Sequence, residues 1–449
     1  MFSASRLNRD LSPPQVITLS FLAAILVGTV LLALPVSHAP GEAIGLLDAL
    51  FTATSAVCVT GLIVVDTGSD YSRFGQIIIM LLFQLGGLGL LTLGTFLALA
   101  TGRRVGFSER MRLQAQVSAL ELGSVLQLVR AIVTLVFTTE LVGAALLYVR
   151  FAQTEGALDG ILYALFHSIS AFNNAGFSLY ADSLSGYVTD PLVNITLIAL
   201  IIIGGLGFVV IVNLIAWLRQ KKRTPLSLHT KMALSITGFL LAVSTVVLLI
   251  LEWSNPATIG ELGLPGKLLA SLFQAVTPRT AGFNTLDYSQ MQPSSVVFSM
   301  LLMFIGGNPG STAGGIKTLT FFVLAVSAWS VIRRRGEVTL FGRRIARDTE
   351  VRAGVVAFSG AMLVGGALTL LTLTEADKAF LPVLFETVSA FGTVGLSLGI
   401  TADLSAAGKC VIIVLMYLGR IGFMTFALSL VAEHPLKEIR HPAEEVVIG

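Results

Sequence analysis

Four stretches of this 449-residue chain repeat one pattern: a phenylalanine, a Ser or Thr four residues on, and a glycine shortly after. They are Phe51–Gly61 (FTATSAVCVTG), Phe166–Gly176 (FHSISAFNNAG), Phe273–Gly282 (FQAVTPRTAG) and Phe385–Gly395 (FETVSAFGTVG), with glycines 115, 106 and 113 residues apart. A ring of backbone carbonyls can replace the hydration shell of a cation. It asks for small residues at a bend, and glycine both permits a positive φ and lets backbones approach one axis. The residues with this chemistry are Val59, Thr60 and Gly61; Asn174, Ala175 and Gly176; Thr280, Ala281 and Gly282; and Thr393, Val394 and Gly395. One glycine in an apolar run reads as a helix-packing residue. Four at one offset read as an ion filter. The third copy is one residue shorter, with Pro278 and Arg279 before its glycine, so its contribution to the ring is expected to be offset. Helix C-termini aimed at the axis would add partial negative charge, which favours cations.

A second repeated pattern follows each filter segment: Gly86-Gly87-Leu88-Gly89, Gly204-Gly205-Leu206-Gly207, Gly306-Gly307-Asn308-Pro309-Gly310 and Gly419-Arg420-Ile421-Gly422. In the first two copies the small residues suit close helix crossing. The third differs, because Gly306, Gly307, Asn308, Pro309, Gly310, Ser311, Thr312, Ala313, Gly314 and Gly315 place five glycines and a proline in ten residues. No continuous helix survives that composition. An irregular loop is expected, buried in protein or lining water, placed beneath the filter where it can obstruct the path and move. In the fourth copy Arg420 replaces the second glycine. A charge at the bilayer centre costs ~2.5–3.5 kcal/mol, so it should face the bundle interior or a cavity. There the carbonyls of the third-copy loop could accept its hydrogen bonds. Glu140 is an alternative, structural partner for Arg420. Lys317, at the end of the loop, is a similar cation that could also snorkel toward the cytoplasm.

These residues need a membrane scaffold, and the composition supplies one. The chain is 54% hydrophobic and 12% charged, about half the charged share of a soluble domain, with a mean hydropathy of +0.85. Each repeat carries a long apolar span, a short semi-polar segment and a second long apolar span. The first spans run near 16–35, 125–150, 232–252 and 353–374, and the second near 73–100, 190–218, 294–332 and 405–432. Each is long enough to cross a hydrocarbon core of ~30 Å. The short segments near 46–57, 158–171, 265–277 and 379–390 are too short for that and read as re-entrant helices. The expected fold is therefore an all-α membrane protein: eight transmembrane helices and four re-entrant pore helices in four membrane–pore–membrane repeats around one pseudo-fourfold pore. The repeats fall at 1–115, 116–225, 226–345 (with a broken second span) and 346–449.

Lys and Arg set the orientation. Twenty of the 29 lie in loops on one side, around residues 6–9, 103–112, 219–231, 333–352 and 437–440, against Arg73, Arg150, Lys267, Arg279, Lys378 and Lys409 on the other. The positive-inside rule makes both termini cytoplasmic and turns the glycine segments outward. Acids on the outer side, Asp48, Asp66, Asp70, Asp159, Asp182, Asp190, Glu252, Asp287, Glu375 and Glu386 among them, are consistent with a cation-concentrating vestibule and equally with a side unconstrained by topology. The basic residues sit in short loops, so no nucleic-acid partner is indicated. Cys58 and Cys410 have no metal-ligand spacing. The first apolar run lacks a convincing cleavage site and reads as a retained helix. No Ser/His/Asp, Cys/His or phosphate-loop constellation points to an enzyme or to an organic cofactor, and His167 reads as a packed or vestibule histidine.

Together the four filter segments with SAFNNAGF (170–177), TPRTAGFNT (277–285), GGNPGSTAGGIKT (306–318), GRIGFMT (419–425) and the ending HPAEEVVIG resemble the Trk/Ktr/HKT superfamily of potassium transporters, specifically its Ktr-type membrane subunits, over the whole chain. The resemblance implies a potassium filter with one glycine per repeat, and a mobile intramembrane loop at 306–315 held by Arg420. It further implies a homodimer with one pore per subunit, assembled on a cytosolic RCK-type nucleotide-binding ring (KtrA-like) and embedded in lipid, with uptake that sodium can stimulate. Gly61 at the position where sodium-selective relatives often carry Ser argues for potassium. The first filter segment already starts near residue 46, which argues against a Trk-type subunit. The alternatives are such a Trk-type subunit or a sodium- or proton-coupled secondary cation carrier, although carriers are usually built on twofold or inverted repeats.

Overall fold

In the computed structural model of the chain, residues 12–89, 125–219, 226–334 and 337–430 are described. Most of the basic loop residues at 6–9, 103–112, 221–223 and 437–440, Arg335, the end of the first repeat's second span and the terminal HPAEEVVIG lie outside these residues.

Each repeat begins with a long helix: α1 (Pro13–Leu32), α4 (Val125–Thr154), α8 (Leu228–Glu252) and α12 (Arg347–Thr374). All four are long and apolar enough to cross a membrane. Their outer faces carry exposed side chains such as Leu26, Val30, Leu141, Phe239, Ile250, Phe358 and Leu373, the pattern of helices whose solvent is hydrocarbon. The short helices follow: α2 (Leu46–Val57), α5 (Ala157–Asn173), α9 (Leu264–Val276) and α13 (Phe380–Gly392). With a rise of ~1.5 Å per residue they fall short of a ~30 Å core. The repeated phenylalanines Phe51, Phe166, Phe273 and Phe385 are wholly buried within them. They anchor each short helix by its apolar bulk, a role the spacing alone did not assign.

The second helices are α3 (Arg73–Leu88), α6 (Pro191–Leu206), α10 (Pro293–Phe304) and α14 (Ala406–Ile421). Two of the expected continuous spans are sharply bent. After α6 the chain turns by 101° into α7 (Phe208–Arg219), and after α14 by 92° into α15 (Phe423–Leu430). The break comes at the last glycine of each motif, Gly207 (φ +95°) and Gly422 (φ +85°); Gly89, just after α3, has the same left-handed sign (φ +80°). A positive φ costs an ordinary side chain ~1–2 kcal/mol, which explains glycine at these bends. In the third repeat α10 gives way to an irregular segment, and helix resumes at α11 (Thr318–Ile332).

Ring closure is visible in the packing. Each second helix lies against the short helix of the next repeat: α3 on α5, α6 on α9, α10 on α13, and α14 of the fourth repeat back on α2 of the first. The fourth repeat is also tied to the first by Tyr417, whose hydroxyl donates to Thr18 O (2.8 Å), and by the Lys409–Asp48 ion pair (2.7 Å). Among the described residues one element departs from all-helical structure. A two-residue hairpin, β1 (Thr339–Leu340) with β2 (Arg343–Arg344), connects α11 to α12. Phe341 and Gly342 both take positive φ at its tip, as a type I′ turn requires.

Candidate functional site

The four glycine segments have one backbone plan. The residue two before each glycine is left-handed: Val59 (φ +57°), Asn174 (+58°), Thr280 (+75°) and Thr393 (+49°). The glycines follow at +91°, +72°, +78° and +92° for Gly61, Gly176, Gly282 and Gly395. Positive φ at alternate residues turns the chain out of the short helix and into an extended run.

The Ser or Thr of the repeated pattern fixes that turn. Its carbonyl accepts the N–H of the residue before the glycine in every copy: Thr60 to Ser55 (2.8 Å), Ala175 to Ser170 (2.8 Å), Ala281 to Thr277 (2.9 Å) and Val394 to Ser389 (2.9 Å). The hydroxyls then tie the glycine run to the helix end. Ser55 and Ser389 accept from the N–H of Gly61 (3.0 Å) and Gly395 (3.2 Å). Ser170 and Thr277 donate to the carbonyls of Phe177 (2.8 Å) and Phe283 (2.7 Å). The one-residue deletion in the third copy does not offset it, contrary to the expectation. The turn from Thr277 to Ala281 is one residue tighter than its counterparts and absorbs the difference.

The four glycines meet in chain order around a ring. A methyl group added to Gly61 would lie 2.5 Å from Ala175 O and 2.9 Å from the Cα of Gly176. On Gly176 it would lie 3.0 Å from both Ala281 O and the Cα of Gly282. Gly282 is closed in by Val394 O, and Gly395 by Thr60 O and the backbone of Gly61. The carbonyl preceding each glycine therefore abuts the glycine of the repeat before it, Thr60 O closing the ring onto Gly395, and a side chain at any of the four would push that carbonyl out of place. The flanking side chains Val59, Thr60, Asn174, Ala175, Thr280, Ala281, Thr393 and Val394 are all buried.

On one side the ring opens into a cavity of about 510 Å³ whose lining includes all four glycines and the carboxylates of Asp182 and Asp287. Most of the other outer acids are engaged elsewhere. Asp48 pairs with Lys409, Asp159 with Arg73, Asp190 with Arg150, and Glu375 with Lys378. Asp66 and Asp70 brace their own loop. Glu252 and Glu386 are buried and hydrogen-bonded. Of these acids Asp182 and Asp287 line the cavity, and Asp287 also accepts from the N–H (2.9 Å) and hydroxyl (2.7 Å) of Ser289.

On the other side lies the loop between α10 and α11. Its backbone is stitched to the second repeat: Asn308 and Thr312 donate N–H bonds to Gly205 O (3.0 Å) and Gly204 O (3.3 Å), and Phe208 N–H donates to Gly310 O (2.9 Å). Thr312 Oγ1 donates to Phe172 O (3.3 Å). A methyl on Gly314 would collide with the side chain of Thr393, which places the loop directly against the filter segment of the fourth repeat. Arg420 donates to the carbonyls of Thr312 in this loop and of Gly86 at the end of α3 (2.7 Å for the latter). Lys317 folds back onto Ala313 O (2.6 Å). Glu140 is not the partner of Arg420: it accepts from Gln84 (3.2 Å) and Asn173 (3.0 Å) instead.

Glycines of the second motif act in two ways. An added methyl on Gly86, Gly204 or Gly419 would collide with the carbonyl of Val57, Phe172 or Phe391, at the C-terminal end of the short helix of the same repeat. Close packing is therefore the role in copies one and two, as the sequence suggested, and in copy four. The bends at the last glycine went unread, as did a third feature. Arg279, in the filter run itself, donates to Thr318 Oγ1 (3.3 Å), which donates to Gly306 O (2.5 Å). This links the third filter segment to both ends of the loop. Its only sequence signal was a buried cation in an apolar stretch.

Among the described residues no group of three or more His, Cys, Asp and Glu side chains could hold a metal ion. What the site offers a cation is backbone oxygen.

The family of TrkH cation transport proteins matches residues 13–441. A potassium uptake protein B of the Ktr system from Bacillus subtilis is 44% identical over 98% of this chain and 97% of its own length. A potassium/sodium uptake protein, NtpJ, from Enterococcus hirae is 38% identical over 99% of both. Among solved structures, the potassium transporter TrkH from Vibrio parahaemolyticus superposes with a TM-score of 0.75 at 18% identity, over 96% of this chain and 86% of its own. At that identity the likeness is one of fold.

Proposed function

Because the chain belongs to the TrkH family of cation transport proteins, we propose that it carries potassium into the cell through a gated, selective pore, as the membrane subunit of a Ktr-type system. The relatives named for potassium uptake support this substrate. The observation that carries the reading is the ring in which the backbones of Gly61, Gly176, Gly282 and Gly395 touch in turn.

On this reading the runs Val59–Gly61, Asn174–Gly176, Thr280–Gly282 and Thr393–Gly395 form the filter. Their carbonyls replace the water around potassium, and membrane potential drives the ion inward. Residues 306–315, with Lys317 and Arg420, are the gate, latched by the bonds from Arg420 to Thr312 and Gly86. Control belongs where the fourfold symmetry fails: a broken span in one repeat and a buried arginine in another. The four repeats take the limits 1–115, 116–225, 226–345 and 346–449. The chain sits in the plasma (inner) membrane with both termini cytoplasmic, following the asymmetry of Lys and Arg. It acts as a homodimer on a cytosolic RCK-type ring.

Tracer rubidium uptake into vesicles containing the purified chain tests the reading. Uptake should follow an imposed negative-inside potential, with potassium competing far better than sodium. Uptake that does not respond to potential would overturn it. The likeness to a potassium/sodium uptake protein favours one second reading, in which sodium is co-transported and not merely stimulatory. It requires flux that stops without a sodium gradient.

A further inference from the structure

The residue that directly follows each repeated phenylalanine is polar and fully buried in all four copies: Thr52, His167, Gln274 and Glu386, none more than 1% exposed. A polar side chain in an apolar core is costly unless it is hydrogen-bonded, so four at one register position ask what they hold. Three hold the outer strand that leaves the glycine for the mouth. His167 Nδ1 meets Tyr163 O (2.8 Å), an acceptor only, so Nε2 is the acceptor for Ser178 Oγ (3.0 Å), two residues past Gly176. Gln274 Nε2 donates to Thr285 Oγ1 (3.2 Å), three residues past Gly282. Glu386 accepts from Ser397 Oγ (2.8 Å), two residues past Gly395, and from Thr401 Oγ1 (2.5 Å). Thr52 makes no such bond to its outer strand among the described residues.

The bonded hydroxyls are not remote from the ion's path. Ser178, Ser397 and Thr401 line the cavity into which the glycine ring opens. The anchors behind them are rigidly set. His167 is packed by the rings of Phe151, Tyr163, Phe166, Tyr180 and Phe283. Glu386 has both carboxylate oxygens engaged, and the two hydroxyls that donate to them lie 3.0 Å apart. Since the glycines follow chain order around the ring, the second and fourth repeats, with His167 and Glu386, stand opposite each other.

We propose that His167, Gln274 and Glu386 are positioning residues that clamp three of the four outer filter strands, and so set the potassium-over-sodium preference of the ring. The inference rests on reading that ring as a potassium filter. A strand clamped at its helix end through Ser170, Thr277 or Ser389 and at its mouth end through these anchors cannot draw inward around the smaller sodium ion. The first strand lacks a clamp from this register position; its loop is braced farther out, by Asp66, Asp70 and Gln76.

The experiment is the bi-ionic reversal potential of the full-length protein in planar bilayers, with a parallel check that each variant elutes as the wild-type species. Glu386→Leu should lower the potassium-to-sodium permeability ratio about tenfold, the consequence of losing two buried hydrogen bonds to its carboxyl group. Ser397→Ala with Thr401→Val should lower it comparably, and adding Glu386→Leu to that pair should change little more. Glu386→Gln, which keeps one acceptor, should recover part of the ratio, and His167→Leu should lower it as Ser178→Ala does. Thr52→Val should leave it unchanged. Should Glu386→Leu fail to assemble, the Ser397/Thr401 pair decides the matter. A wild-type ratio in that pair, or strictly additive losses on combining it with Glu386→Leu, overturns the inference. Gly61→Ser is the reference: if it lowers the ratio while the anchor variants do not, only the anchors are refuted. If it too has no effect, the filter reading itself falls.

Discussion

Arg420 of the fourth repeat donates to the carbonyl of Thr312, at the centre of the third repeat's intramembrane loop. Its other terminal nitrogen reaches Gly86 O, at the end of α3 in the first repeat, at 2.7 Å. One side chain thus fastens the loop to a helix two repeats away in the chain. A hydrogen bond made by a charged group is worth ~1.5–3 kcal/mol. Arg420→Ala should therefore shift the closed-to-open balance by about ten- to a hundredfold and raise tracer flux, as should shortening the loop between Gly306 and Gly315. Unchanged flux in both variants would remove residues 306–315 from the gate.

Glu140 has been displaced from the latch by geometry. It bonds Gln84 and Asn173, tying α4 to α3 and α5. A double-mutant cycle between Arg420→Ala and Glu140→Gln, read as flux, should give a coupling below ~0.5 kcal/mol, the level seen for groups that share no partner. A larger coupling would show that the two communicate.

Gly419 and Gly422 are three residues apart and are glycine for different reasons. A methyl at Gly419 runs into Phe391 O, whereas at Gly422 nothing lies within 4 Å and only the φ of +85° is unsuited to a side chain. Gly422→Ala should cost ~1–2 kcal/mol and lower the thermal midpoint in detergent by a few degrees. Gly419→Ala should cost more, because α14 must move off the helix end, and should accumulate poorly. Equal loss in the two variants would contradict this division.

Ser55 and Ser389 accept the N–H groups of Gly61 and Gly395. Replacing either with Ala leaves a buried donor without its partner, at ~1–3 kcal/mol. The stabilisation of the folded protein by added potassium, read as the rise in thermal midpoint, should shrink in both variants. Rises equal to the wild type would exclude the hydroxyls from holding the filter.

The fold was legible in the sequence because the lengths of apolar spans and their fourfold recurrence are coarse, additive signals. The four glycines were legible because they recur at nearly one offset from Phe and Ser or Thr, a residue shorter only in the third copy. Finer geometry was hidden where it depends on the backbone of a neighbouring repeat. The fate of the third copy was misread because a deletion is visible in sequence, while the tighter turn from Thr277 to Ala281 that absorbs it is not. The bends at Gly207 and Gly422 were concealed by continuous hydrophobicity, since an apolar run looks the same straight or folded by 101° or 92°. Several outer acids looked free because their cations lie on other elements: Lys409 for Asp48, Arg73 for Asp159 and Arg150 for Asp190. The loop's irregularity could be read directly, since five glycines and a proline in ten residues leave no helical alternative.

On the proposed function, the carbonyls preceding Gly61, Gly176, Gly282 and Gly395 hold a dehydrated potassium ion. Anomalous diffraction from crystals grown with rubidium or thallous ion in place of potassium tests it most directly. An anomalous peak is expected on the axis enclosed by the carbonyls of Thr60, Ala175, Ala281 and Val394, diminished when sodium replaces the heavier ion. An axis without such a peak, or a peak at the side chains of Asp182 and Asp287 alone, would contradict it.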